Sequence, residues 1–155
     1  MENTLNRITF HYEFISKKGT ISNKDRRDVS VILTVDALFT IIIDDAIYFE
    51  AEIAILEFYK ALFKWKETLI KENIIEFHYY TIEYDEYEDG ALISLIPFSN
   101  KARVTSIWAQ CEVNNVIDLD NAVQEFITLE ERLRNDIEQF YHIDLNGFIK
   151  HIPLI

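Results

Sequence analysis

Between Ala51 and Glu72 apolar side chains recur with the spacing of an α-helix, and no glycine or proline interrupts the run. At 100° per residue, Ile55, Phe58, Tyr59, Leu62, Phe63, Trp65, Leu69 and Ile70 share one broad face. Glu57, Lys60, Lys64, Glu67 and Lys71 occupy the other. The apolar arc is wider than an ordinary core stripe, so one flank either sits deep between layers or meets a partner.

The chain on either side of this helix reads as strands. Ile8, Phe10, Tyr12 and Phe14 alternate with Thr9, His11 and Glu13, the pattern of a half-buried strand over Ile8 to Ile15. Ser16 to Asp28 is polar, contains Gly19 and is rich in Lys and Arg, which predicts a long basic loop. From Val29, residues Val31, Leu33 and Val35 alternate with Ser30 and Thr34, and a second β-branched run ends at Asp44, predicting a hairpin. After the helix, three strands are expected at Ile74 to Tyr84, Ala91 to Phe98 and Ala102 to Val113. They are joined by Glu88-Asp89-Gly90, whose Asp-Gly supplies a tight turn, and by Pro97 to Asn100.

Asp118 or Asp120 can cap a final helix with the stripe Ala122, Phe126, Leu129, Leu133, Ile137 and Phe140. The tail after His142 is apolar enough to dock on the body, with a turn at Gly147. No strand-helix-strand alternation calls for parallel pairing. The expected fold is therefore α+β: a single antiparallel sheet of about five to six strands with two amphipathic helices packed on it, in the order β-ββ-α-βββ-α. One domain over residues 1–155 accommodates it, and the scarcity of glycine (3) and proline (2) argues against disordered linkers.

Charge and cysteine content narrow the function. With 15 Lys+Arg against 27 Asp+Glu the net charge is -12, which disfavours binding to nucleic acid or anionic lipid and either steers a basic partner or simply serves solubility. Cys111 has no second cysteine to pair with, the absence of a basic-then-apolar leader gives no secretion signal, and the cytoplasm is expected. No run is long and apolar enough to span a membrane.

The residues of reaction chemistry are not gathered. His11, His78, His142 and His151 are scattered without metal-ligand spacing, so neither metal nor cofactor is expected. Glycines 19, 90 and 147 cannot form a phosphate-binding loop. Cys111 alternates in step with Ile107, Ala109 and Val113, as a small buried strand residue would. Trp108 lies on the opposite face, and packing under the tail accounts for it better than an exposed anchor. The carboxylates of Glu83 to Asp89 sit together at a turn, where solvation opposes the pKa separation that acid-base catalysis needs.

Four stretches carry a family resemblance: ALFKW (Ala61 to Trp65), FHYYTIEYDEYEDGALISL (Phe77 to Leu95), RVTSIWAQ (Arg103 to Gln110) and AVQEFITLEERLRNDI (Ala122 to Ile137). Together they resemble small single-domain bacterial immunity proteins of polymorphic toxin systems, including those of WapA-type wall-associated toxins. The resemblance implies a non-enzymatic protein that binds one cognate toxin domain, often a basic nuclease, and blocks it. Asp44, Asp45, Tyr84, Asp85, Glu86, Tyr87, Glu88 and Asp89 are the candidate partner-binding residues, with turn and loop acids as the plain alternative. Rival readings are a small-molecule site lined by Tyr59, Trp65, Tyr79 or Tyr80, and a homo-oligomer that uses the broad helical face.

Overall fold

The computed structural model describes residues 5–82, 90–111 and 115–154. Among them the architecture is α+β with antiparallel pairing throughout, but the strands divide between two sheets. The first contains β1 (Ile8–Phe14), β2 (Asp36–Ile43) and β3 (Ala46–Ala54), in that order. The second contains β4 (Phe77–Tyr79), β5 (Ile93–Phe98), β6 (Lys101–Thr105) and β7 (Ile117–Asp118).

The single expected sheet is split because β3 runs without a break into the helix α2 (Ile55–Glu72). Phe49 and Ile53 point inward and Glu50 and Glu52 outward, a period of two that passes for helix when it is read together with Ile55 to Leu62. The helix therefore begins at Ile55 rather than Ala51. The hairpin is also displaced. Asp28 accepts a hydrogen bond from the Val31 N–H and caps a short helix, α1 (Val29–Ile32), where a strand was expected. The true hairpin joins β2 and β3 through Asp44-Asp45, and Asp44 takes φ 55° there. The loop Ser16 to Asp28 contains two 3-10 turns, Lys18–Thr20 and Asn23–Asp25.

The first turns of α2 are buried on every side. Ile55, Leu56, Glu57, Phe58, Tyr59, Lys60, Ala61 and Leu62 are all inside, so the two positions assigned to the polar face, Glu57 and Lys60, lie in the interior. Glu57 is 0 % exposed and accepts hydrogen bonds from the Tyr79 hydroxyl (2.8 Å) and the Ile82 N–H (2.9 Å). The Lys60 ammonium donates to the Ile152 carbonyl at 2.6 Å, which ties the tail to the helix. Asn73, at φ 55°, closes α2, and its N–H donates to the Leu69 carbonyl.

Asp118 caps the second long helix, α3 (Leu119–Tyr141), by accepting from the Asn121 N–H. Its expected stripe is buried at Ala122, Phe126, Leu129, Leu133 and Ile137. The ring of Phe126 meets Phe10 at 5.2 Å, Phe77 at 5.6 Å and Trp65 at 5.9 Å, so one side chain joins both sheets and α2. The tail docks as expected through α4 (Leu145–Phe148) and Ile152, with Gly147 inside that short helix.

Other parts of the chain reach both outer strands of the first sheet. Along β3, the Gln110 N–H donates to the Tyr48 carbonyl, the Gln110 amide to Glu50 and the Cys111 thiol to Ile47. Cys111 is thus half-buried beside a strand rather than on one, because β6 ends at Thr105 and the chain turns there. Trp108 lies in that turn, 40 % exposed. On β1, Arg132 donates to the Phe10 carbonyl and to the Tyr12 hydroxyl, and Tyr12 donates to Asp136 at 2.5 Å. Burial and the Asp136 contact, partly opposed by Arg132, raise the Tyr12 pKa to about 12. No helix among the described residues is long and apolar enough to cross a membrane.

Candidate functional site

The β2–β3 turn places Asp44 and Asp45 on the wall of an open cleft of about 720 Å³. The start of β1 supplies Asn6, Arg7 and Thr9, and the start of α3 supplies Asp118, Asn121 and Glu125. The left-handed φ of Asp44 turns its carboxylate back onto the chain, where it accepts from the Arg7 N–H (2.9 Å) and the Asn6 side-chain amide (2.6 Å). Those two donors hold the Asp44 carboxyl below its ordinary range, so it stays ionised. Asn6 also receives the Val116 N–H, which fixes the strip between β6 and α3 to the same corner.

Four carboxylates, Asp44, Asp45, Asp118 and Glu125, thus face one cleft in which Arg7 is the one cationic side chain among the described lining residues. Asp44 and Asp118 are committed to backbone N–H groups, whereas Asp45 and Glu125 are exposed. No group of three or more His, Cys, Asp or Glu among the described residues is arranged to hold a metal ion. The cleft's chemistry is that of an anionic recess with amide donors and acceptors at its floor, suited to lysine or arginine side chains.

Of the sequence-derived candidates, Asp44 and Asp45 are brought together here. Tyr84, Asp85, Glu86, Tyr87, Glu88 and Asp89 lie outside the described residues. Sequence reasoning assigned Asp118 only a capping role; its proximity to Asp44, and that of Glu125, depends on the long-range meeting of a turn and a helix start, which no local pattern encodes. Glu57 was missed for a different reason. Its spacing matches the polar face of α2, and only its contacts with Tyr79 and Ile82 reveal that it anchors the chain immediately before the acidic stretch.

Of the four aromatic residues proposed as a pocket, Tyr80 is half-buried and stacked beside His78 at 6.4 Å, and the other three are packed in the core. Tyr59, Tyr79 and Trp65 are buried in the common core, with Tyr79 edge-on to Phe58 at 5.1 Å and Trp65 edge-on to Phe77 at 6.2 Å. The Tyr59 hydroxyl donates to Glu130 at 2.5 Å, and burial together with this contact raises its pKa. Glu130 also receives Lys66 at 2.9 Å, so α2 and α3 are bridged by a buried carboxylate. Above that bridge is a shallow groove of about 400 Å³ bordered by Phe63, Lys66, Ile70, Glu131 and Arg134.

A third cluster resembles a catalytic relay. Because His78 and Ser94 are register partners on β4 and β5, the His78 ring meets the Ser94 hydroxyl at 2.8 Å, and its other nitrogen meets Glu76 at 2.6 Å. A nucleophilic serine must reach an acyl carbon as well as a base. Ser94 is 3 % exposed within β5, so the chain of contacts ties β4 to β5 rather than presenting a nucleophile.

A family model described as a domain of unknown function, DUF7878, matches residues 10–139. Neither a curated protein nor a solved structure matches the chain.

Proposed function

The chain belongs to the DUF7878 family, and from that premise we propose that it is a non-enzymatic cytoplasmic immunity protein that binds and neutralises a cognate toxin domain with a basic surface. The observation that carries this reading is the cleft in which Asp44, Asp45, Asp118 and Glu125 converge on a chain of net charge -12. Such a field accelerates encounter with a cationic partner, and the exposed acids Asp45 and Glu125 can then pair with its lysines or arginines. The stretch Tyr84 to Asp89 extends the same chemistry in sequence, with two tyrosines to supply contact area. A basic nuclease surface that ordinarily receives phosphates is the partner this chemistry fits.

The test is co-expression with a toxin domain encoded immediately upstream. Protection and a complex that survives purification are expected; growth arrest together with no binding would overturn the reading. Combining D45N and E125Q with neutralisation of Asp85, Glu86, Glu88 and Asp89 should slow association and flatten its salt dependence.

One observation favours a second reading, a homo-oligomeric regulatory domain. Ile70 is 74 % exposed on the rim of the groove between α2 and α3. Light scattering that reports a concentration-independent monomer, unchanged by I70E, would exclude the oligomer.

A further inference from the structure

A group of basic residues gathers where the loop Ser16 to Asp28, the tail and α2 meet, and none of them lines the acidic cleft. The turn Asn23–Asp25 is closed by the capping box of Ser22 and Asp25, and the Asn23 side chain accepts the Asp144 N–H at 2.9 Å. That bond joins the basic loop to the tail. Arg26 donates to the Asn23 carbonyl, and its aliphatic stem passes over Gly147, where a Cβ would stand 3.6 Å from Arg26 Cδ. The tail in turn is fastened to α2 by Lys60 at the Ile152 carbonyl, one helical turn before Lys64. Three distant segments therefore deliver Arg26, Arg27, Lys60 and Lys150 around His151, with Lys64 beside Lys60, which together are five of the chain's fifteen Lys and Arg.

Most of these charges have no ion-pair partner among the described residues. Arg26, Arg27 and Lys150 are exposed and form no ion pair among the described residues, while Lys64 has Glu67 at 3.5 Å. Partial desolvation and then the charges of Arg27, Lys150, Arg26 and Lys60 depress the His151 pKa, and desolvation and Lys64 depress that of Lys60. A protein with 27 acidic side chains has many available for pairing, yet the fold holds these cations beside one another at an electrostatic cost.

We infer that the surface formed by Arg26, Arg27, Lys64 and Lys150 is a second docking site, which takes a short acidic segment of a protein partner. Guanidinium and ammonium groups pair directly with carboxylates, and the arginines can do so bidentately. A long polyphosphate chain fits less well, because it would continue past the patch onto a molecule of net charge -12. The inference goes beyond the toxin reading, since it concerns a separate surface of opposite sign and is tested without a toxin.

The probe is a short fluorescent polyglutamate peptide, followed by anisotropy at low salt with the full chain. Binding should weaken by about tenfold or more in R26E/R27E/K150E and should weaken steeply with added salt. If the triple variant loses its thermal transition, R27A and K150A separately should each cost about threefold. No binding of polyglutamate above a polyglutamine control, binding indifferent to these substitutions, or tighter binding of oligothymidylate through the same residues would each overturn the inference. Failure of this measurement leaves protection against a toxin free to succeed, and the converse, so the two readings fail separately.

Discussion

Helices α2 and α3 look alike as sequences, each with an apolar stripe and a charged back, yet they are held by different physics. The amino-terminal part of α2 is enclosed on all sides, starts directly from β3 at Ala54 without a side-chain cap, and carries Glu57 and Lys60 into the interior. α3 begins with an Asp118 cap and buries one stripe while its charged residues remain outside, apart from Glu130 at the junction with α2. A stripe on a surface helix reports how the helix is oriented. On an enclosed helix the stripe understates burial, because polar side chains that find partners go inside with it.

Breaking the comparison at its strongest point means removing core volume from α2. Phe58→Ala should cost about 4 kcal/mol in urea unfolding, because Phe58 packs on Phe39 and Tyr79 and is fully buried. Glu57→Ala comes next, at about 3 kcal/mol, since it leaves the Tyr79 hydroxyl and the Ile82 N–H without their acceptor. A surface carboxylate of the kind the helical wheel suggests would cost almost nothing, so a change under about 0.5 kcal/mol would return Glu57 to the polar face.

The tyrosines test the α2–α3 junction and the seams beside it by pH. Tyr12, Tyr59 and Tyr141 all have pKa values raised above 10.0, the first through burial and Asp136, the second through burial and Glu130, the third through burial and Asp36. Between the unfolded value and the raised folded value the native state keeps protons that the unfolded chain has released. Stability is therefore fully present below about pH 10 and falls as pH rises toward 12. The urea midpoint should drop over that window and drop less in Y12F; a midpoint flat to pH 12 would contradict the raised values.

Smaller effects sharpen the other side of the contrast. Asp118→Ala should cost about 1 kcal/mol by uncapping α3. Ile70→Ala, on the solvent side of α2, should stay within about 0.5 kcal/mol by thermal unfolding.

Legibility in the sequence tracked the range of the interaction. The strand Ile8–Phe14 and the stripe of α3 are local periodicities and were readable to within a residue or two. Val29–Ile32 was not, because its alternation competes with an Asp28 cap that favours a helical turn. Ala51 to Ala54 was absorbed into the helix because β3 and α2 share no breaker between them. At the cleft, Asp44 and Asp45 were accessible as turn acids, while Glu125 became a neighbour only once α3 was docked. The basic loop was visible as composition; that it meets Lys64 and Lys150 depends on the tail folding back through Asn23 and Lys60.

The strip at Gln110 and Cys111 has a consequence for behaviour at high concentration. An open outer strand is a template on which another copy can add, and repetition of that step builds fibrils. Here the carbonyls of Ile47, Tyr48 and Glu50 on the outer strand of the first sheet are already occupied by the same chain. Growth by strand addition must first peel that strip away, which makes polymerisation along β3 a process with a barrier.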